Sequence, residues 1–356
     1  MPEKLYPIHP SQEHRLNAEY KAFYNENSIA APKIHTIPIS VIRSIPRRPF
    51  PGSGPEIPVG KKEDILIALD SGPTKGVTIP TRCYTPPGSA PTGGWPVLVF
   101  YHGGGWTLGG LDSELDVITN ICTRAKCVVV SVDYRLAPEH AFPAAVDDAW
   151  AALAWVSQEG PARLAIDAAN LAVGGTSAGG NLAAVMAQRA AAAAAAARGG
   201  PVIKTQLLSI PVTDNTRTPD NSACWRDLQH SPALSADIML WFRDCYLPGG
   251  GPAAAAAWAH PEASPLLWTG DWSALPPAVV VVAGLDVLRD EGEAFAAKLS
   301  QAGVGVRLAL FHDQPHVFPS MSGVLEDGRR AVTFMCESLH DSFYGNDDSI
   351  VARSNI

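Results

Sequence analysis

Eight apolar runs punctuate this chain, and between them the spacing of apolar residues changes to a helical period. The runs are ILIALD (65–70), VTIPTRCYTP (77–86), PVLVFYH (96–102), CVVVSVDYRL (127–136), NLAVGG (170–175), TQLLSIPV (205–212), AVVVVAGLD (278–286) and VRLALFH (306–312). The central ones are almost unbroken by polar positions, as strands covered on both faces are. Helical patterns occupy Pro143 to Glu159, Ala178 to Ala197, Glu291 to Ala302 and Glu326 to Phe343. Strands alternating with such helices predict an α/β fold, an eight-stranded and mostly parallel sheet with flanking helices.

Two stretches break the alternation. Residues 1–55 open with the polar-amphipathic SQEHRLNAEYKAFYNEN and run into a Pro-rich linker, IPRRPFPGSGPEIP. Residues 214–262 carry CWRDLQHSPALSADIMLWFRDCYL and then a loose GGGPAAAAAWAHPE. Insertions beyond the carboxyl ends of parallel strands are where such sheets bind ligands. The two stretches are therefore read as halves of a cap over a site, in preference to peripheral packing. The chain then divides into an N-terminal cap segment (1–55), a first part of the core (56–213), a cap insertion (214–262), a second part of the core (263–345) and a tail (346–356). The alanine run 190–197 needs no function, because alanine is the strongest helix former.

Composition narrows the chemistry. With 46% hydrophobic and 17% charged residues in 356, the chain can bury a sizeable core. Lys and Arg number 27 against 35 Asp and Glu, a net charge of −8, which gives no footprint for nucleic acid or an anionic membrane. No apolar run approaches the ~18 residues that span a bilayer, and MPEKLYPIHPSQEH lacks the apolar core of a signal peptide. The cysteines Cys83, Cys122, Cys127, Cys224, Cys245 and Cys336 have neither disulfide-framework nor zinc spacing, and read as small buried hydrophobes. A cytoplasmic setting is expected, with no metal, no nucleic-acid partner and no membrane span. A homodimer is left open.

The chemistry centres on Gly175-Thr176-Ser177-Ala178-Gly179, which follows the LAVGG strand and opens an Ala-rich helix. A serine on such a strand–turn–helix elbow is lifted above the sheet edge, where it can attack a carbonyl. A serine hydroxyl is a weak nucleophile until a base takes its proton, and a third group must orient that base. Asp286 closes the AVVVVAGLD strand and is the preferred acid. Asp290, the alternative, falls at the start of a helix, where a carboxylate has an ordinary capping role. His316, in the loop after Pro315, is the preferred base over His312, which still lies in or just past its strand. His102-Gly103-Gly104-Gly105 ends another strand, PVLVFYH, and a glycine loop there lets backbone N–H groups approach a developing oxyanion. Gly104, Gly105 and Ala178 are the expected donors, and His102 is expected to pin the loop through its imidazole.

These segments resemble the hormone-sensitive-lipase family of α/β-hydrolases, in its GTSAG branch, over about residues 60 to 340. The landmarks are HGGGW (102–106), DYRLAPEHAFPAAVDDAW (133–150), GGTSAGGNLAA (174–184), PVTD (211–214), SPLL (264–267) and LPPAVVVVAGLDVLRDEGEAFA (275–296). The resemblance implies an eight-stranded α/β-hydrolase sheet with a helical cap, no metal and no organic cofactor. It also implies hydrolysis of small-molecule esters with short to medium acyl chains. Carried over by motif, Ser177 matches the nucleophile, Asp286 the acid, His316 the base, and Gly104, Gly105 and Ala178 the oxyanion donors. Arg135, Glu139 and Asp148 match scaffold. Two places depart from the family pattern: Asp286-Val287-Leu288 stands for Asp-Pro-Leu, and His316-Val317-Phe318 for His-Gly-Phe. Neither removes a catalytic atom, while Val317 adds bulk beside the base. Two alternatives remain, a dedicated hydrolase of a lactone or polyketide side chain and a non-catalytic small-molecule receptor. Receptors of this family lack the histidine that His316 supplies here.

Overall fold

Valine and isoleucine prefer the pleated backbone, and the runs that carry them form one sheet in the computed structural model. Residues 5–45, 49–69 and 74–345 are described, with the backbone of 352–354. The strands are β1 (Lys61–Ala68), β2 (Thr78–Thr85), β3 (Trp95–Tyr101), β4 (Val128–Val132), β5 (Ile166–Thr176), β6 (Thr205–Ser209), β7 (Ala278–Leu285), β8 (Val306–Pro315) and β9 (Ala352–Ser354). They lie in the order β1-β2-β4-β3-β5-β6-β7-β8-β9. β2 pairs antiparallel with both β1 and β4, and every other pairing is parallel. All eight expected strands are present, and β9 is a short addition within the expected tail. Residue 70 of the first run, residues 46–48 of the linker, and 346–351 and 355–356 of the tail lie outside the described residues.

Two expected strands stop early for local reasons. The fourth leaves the sheet at Asp133, just before Arg135 turns to Asp148 with its backbone N–H and guanidinium. The sixth stops at Ser209 because Ile210 takes a φ of 43°, which no strand accommodates.

Helices are α1 (Pro10–Glu13), α2 (Ala18–Asn27), α3 (Ile39–Ser44), α4 (Leu115–Arg124), α5 (Ala144–Gln158), α6 (Gly160–Leu164), α7 (Ala178–Ala195), α8 (Ala223–Leu228), α9 (Ala236–Tyr246), α10 (Gly251–Trp258), α11 (Arg289–Gln301) and α12 (Glu326–Tyr344). The four expected helices are α5, α7, α11 and α12. The stretch GGGPAAAAAWAHPE, expected to be loose, contains α10, because five alanines after a proline in the first turn outweigh the glycines before them. The β3-to-β4 and β4-to-β5 connections run in opposite directions along the sheet. Crossovers of one hand therefore put α4 and α5 on opposite faces. α4 packs with α12, and α5 with α7.

That reversal also locates the crevice. β3 sits between β4 and β5, so the loops leaving β3 and β5 diverge above their carboxyl ends, where α/β sheets bind ligands. Over this end lie the two segments that broke the alternation, and they touch each other. Gln12 Nε2 donates to the Asp227 carbonyl at 2.8 Å, Arg15 pairs with Asp227 at 2.9 Å, and the His9 and His230 rings meet at a tilt of 31° with centroids 4.1 Å apart.

Candidate active site

β5 ends at Thr176 and α7 begins at Ala178, so Ser177 carries the whole change of direction. Its φ of 57° and ψ of −115° are strained for a residue with a side chain, and the surroundings hold it there. Ser177 N–H donates to the Ser209 carbonyl at 2.8 Å, while its own carbonyl accepts from Asn181 at 3.0 Å and Val212 at 3.3 Å. Gly179 is required by space, since a Cβ there would collide with the Tyr101 carbonyl oxygen.

The three residues expected to act together are in line. Ser177 Oγ is 2.9 Å from His316 Nε2, and His316 Nδ1 is 2.6 Å from Asp286 Oδ2. Asp286 Oδ1 accepts the Leu288 N–H at 3.0 Å, so both carboxylate oxygens have partners and the imidazole is oriented. All three are buried, which keeps water from competing with the line. The alternatives fall elsewhere. His312 is an exposed residue of β8 lining a separate polar pocket with Arg15, Arg289 and Glu293. Asp290 does not cap its helix but pairs with Arg289 at 2.8 Å.

The glycine loop follows β3 and faces the elbow. Gly104 (φ 113°), Gly105 (φ 59°) and Trp106 (φ 56°) all take left-handed conformations that turn the chain back over Ser177. A Cβ on Gly105 would enter the Phe242 ring of α9. The N–H groups of Gly104 and Gly105 donate to no protein acceptor among the described residues, and Ala178 N–H opens α7. His102 behaves as expected. Its Nδ1 meets the Gly103 carbonyl at 2.7 Å, its ring stacks on Tyr134 at 4.3 Å, and Tyr134 donates to the His102 carbonyl. The scaffold residues also pair as expected, Arg135 with Asp148 at 2.8 Å and Glu139 with Arg43 at 2.6 Å.

Above the line lies a cavity of about 500 Å³. Its floor is Gly103–Gly105, Ser177 and His316, and its walls are mainly apolar, including Ile34, Leu108, Ile238, Met239 and Phe242. Val317, where the sequence departs from its family pattern, also reaches this wall. Two residues at the site were not foreseen. Arg43 of α3 donates to the Thr107 carbonyl at 2.7 Å and also reaches the Ala137 carbonyl. Glu114, just before α4, lines the cavity and accepts the Gly103 N–H at 3.0 Å. Burial holds its carboxyl above the usual carboxylate range. Neither stands out in the sequence, where Arg43 lies in a basic linker and Glu114 in the polar run LDSELD. Among the described residues, no group of His, Cys, Asp or Glu could hold a metal ion, and no helix is long and apolar enough to cross a membrane.

Comparison with known proteins points one way. A family model for the alpha/beta hydrolase fold matches residues 98–320. An AB hydrolase superfamily protein of Schizosaccharomyces pombe is 40% identical over 92% of this chain and 94% of its own length. The ethyl acetate hydrolase of Pseudomonas putida is 35% identical over 82% of this chain and 88% of its own. Among solved structures, a hyperthermophilic esterase from Pyrobaculum calidifontis superposes with a TM-score of 0.77 at 32% identity, covering 92% of this chain and 98% of that one.

Proposed function

The chain belongs to the hormone-sensitive-lipase-like family of α/β-hydrolases, and on that premise we propose that Ser177, His316 and Asp286 are its catalytic triad. It is a carboxylic-ester hydrolase. The observation that carries the assignment is the unbroken hydrogen-bond line from Ser177 through His316 to Asp286 at the floor of an apolar cavity.

In the proposed mechanism His316 Nε2 takes the proton as Ser177 Oγ attacks the ester carbonyl, and Asp286 stabilises the imidazolium that forms. The tetrahedral oxyanion is met by the N–H groups of Gly104, Gly105 and Ala178, which are pre-aimed and need no reorganisation when charge develops. His316 returns its proton to the departing alcohol, which leaves an acyl-enzyme on Ser177. Water, activated by the same histidine, then releases the acid. The apolar walls favour a small ester with a short to medium acyl chain, and the relative named an ethyl acetate hydrolase supports that size class. The six free cysteines, five of them buried, favour a reducing, cytoplasmic setting.

Hydrolysis of graded nitrophenyl esters tests the assignment. Ser177→Ala and His316→Ala are expected to lose on the order of a thousandfold or more in kcat, because triad members act as a unit. Asp286→Asn is expected to be severe, since the imidazole loses its orienting acceptor. A His316→Ala enzyme that keeps most of its rate, with His312→Ala inactive, would overturn the assignment of the base.

A further inference from the structure

Glu114 stands where the two halves of the site meet. Its Oε2 accepts the Gly103 N–H at 3.0 Å, one residue before the first proposed oxyanion donor, and it lines the same cavity as Thr176 and Ser177. Loop and elbow are close here, for a Cβ on Gly103 would sit 3.2 Å from the Thr176 carbonyl oxygen. Glu114 reaches Gly103 from a left-handed backbone conformation, φ 56° and ψ 33°, which is uncommon for a residue with a long side chain. Backbone strain beside a reactive centre is a reason to look for function there.

We propose that Glu114 is a positioning residue that anchors the oxyanion loop beside the nucleophile elbow by accepting the Gly103 N–H. The inference rests on the triad reading above. A loop of consecutive glycines has little stiffness of its own, and a small rotation would swing the Gly104 and Gly105 amides off the oxyanion. The bond from the Gly103 N–H to Glu114 removes that freedom at the base of the loop. The groups that face the carboxylate are Asp116 on α4, Tyr134 after β4, Thr176 at the end of β5 and His316 after β8. Burial and Asp116 oppose its ionisation, while the Gly103 N–H, Thr176 and His316 favour it.

The test compares wild type, Glu114→Gln, Glu114→Ala and Ser177→Ala by kcat and KM on a nitrophenyl ester, with thermal melts alongside. Glu114→Ala should lower kcat by about tenfold to a hundredfold, part of the cost of losing an oxyanion donor, with KM changed by no more than about threefold. Glu114→Gln keeps an oxygen for the Gly103 N–H and should recover most of that loss. A residue that only shapes the cavity wall would move KM rather than kcat. A folded Glu114→Ala with wild-type kcat overturns the proposal, and should that variant not fold, Glu114→Asp, whose shorter side chain falls short of the Gly103 N–H, decides in the same way. Retained activity in Ser177→Ala would instead overturn the triad reading beneath it.

Discussion

Two carboxyls near the end of β7 are both buried, yet their surroundings assign them different tasks. Asp286 has a partner for each oxygen, the Leu288 N–H and His316 Nδ1. Glu291 spends one oxygen on the Thr213 and Asp214 amides at 2.7 and 3.1 Å, and its other oxygen is buried without a partner among the described residues. Burial, with Asp214 and Asp286 adding repulsion, pushes its pKa well above the usual carboxylate range. The folded chain thus releases the Glu291 proton at higher pH than the unfolded chain, which releases it near pH 4.3. With the folded value raised, its stabilising contribution is complete below that pH and is lost as pH climbs toward the folded value, at up to about 1.4 kcal/mol per pH unit. Glu291→Gln carries no such proton. Its melting temperature should therefore gain on wild type as pH rises above about 4.5 toward that raised value, and a gap independent of pH would show that Glu291 titrates alike in the folded and unfolded chains. Residue by residue, legibility followed the same division. Ser177, Asp286 and His316 could be picked from the sequence because chain order and strand ends leave few candidates. Glu114 and Glu291 could not, since only packing from distant segments tells a buried carboxyl from one in a solvated turn.

At the scale of elements, the glycine loop is shaped by two neighbours remote in sequence. α9 lays Phe242 against Gly105 and stacks Tyr246 on Trp106 at 4.2 Å with an angle of 6° between the rings. α3 supplies Arg43, whose guanidinium reaches the Thr107 and Ala137 carbonyls behind the loop. Charge-assisted bonds of this kind contribute about 1.5–3 kcal/mol each, enough to decide a loop conformation. Arg43→Ala is expected to lower kcat about tenfold and to speed amide exchange across residues 103–108 while the sheet stays protected. Exchange in the loop as slow as in wild type would show that the loop does not depend on Arg43. The strands themselves were readable because both faces of β3 and β4 are covered, which leaves an unbroken apolar run in the sequence. α4 was not read. Its apolar Val117, Ile118 and Ile121 have helical spacing, but a long glycine-rich and polar loop precedes them and no side chain caps the start. Helix α10 was hidden behind three glycines whose breaking tendency the following alanines override.

For the whole molecule, the remaining question is whether the N-terminal segment is a cap, a tail or part of the core. Its contacts divide in a way that separates the three. Ile8, Leu16 and Tyr20 are buried in the common apolar cluster, and Asn17 N–H donates to the Asp313 carbonyl at the end of the sheet. Ile34 meanwhile forms part of the cavity wall above Ser177. The central strands β3 to β7 pair with one another and pack against α4, α5, α7, α11 and α12. Deleting residues 1–40 exposes three large apolar side chains' worth of packing, about 1.5–3 kcal/mol each, yet leaves the sheet its partners. A cooperative melt lowered by roughly 5–15 °C is expected. Because one wall of the cavity is gone, the preferred acyl chain should lengthen and water should enter the site, so turnover falls even where binding survives. Chain-length profiles on nitrophenyl esters, read beside the melts, separate the possibilities. An unchanged profile with an unchanged melt would make the segment a tail, and loss of cooperative folding would make it core. A shifted profile on a sheet that still melts cooperatively is the signature of a cap, because only a wall of the cavity can change what the serine sees without unmaking the scaffold that holds it.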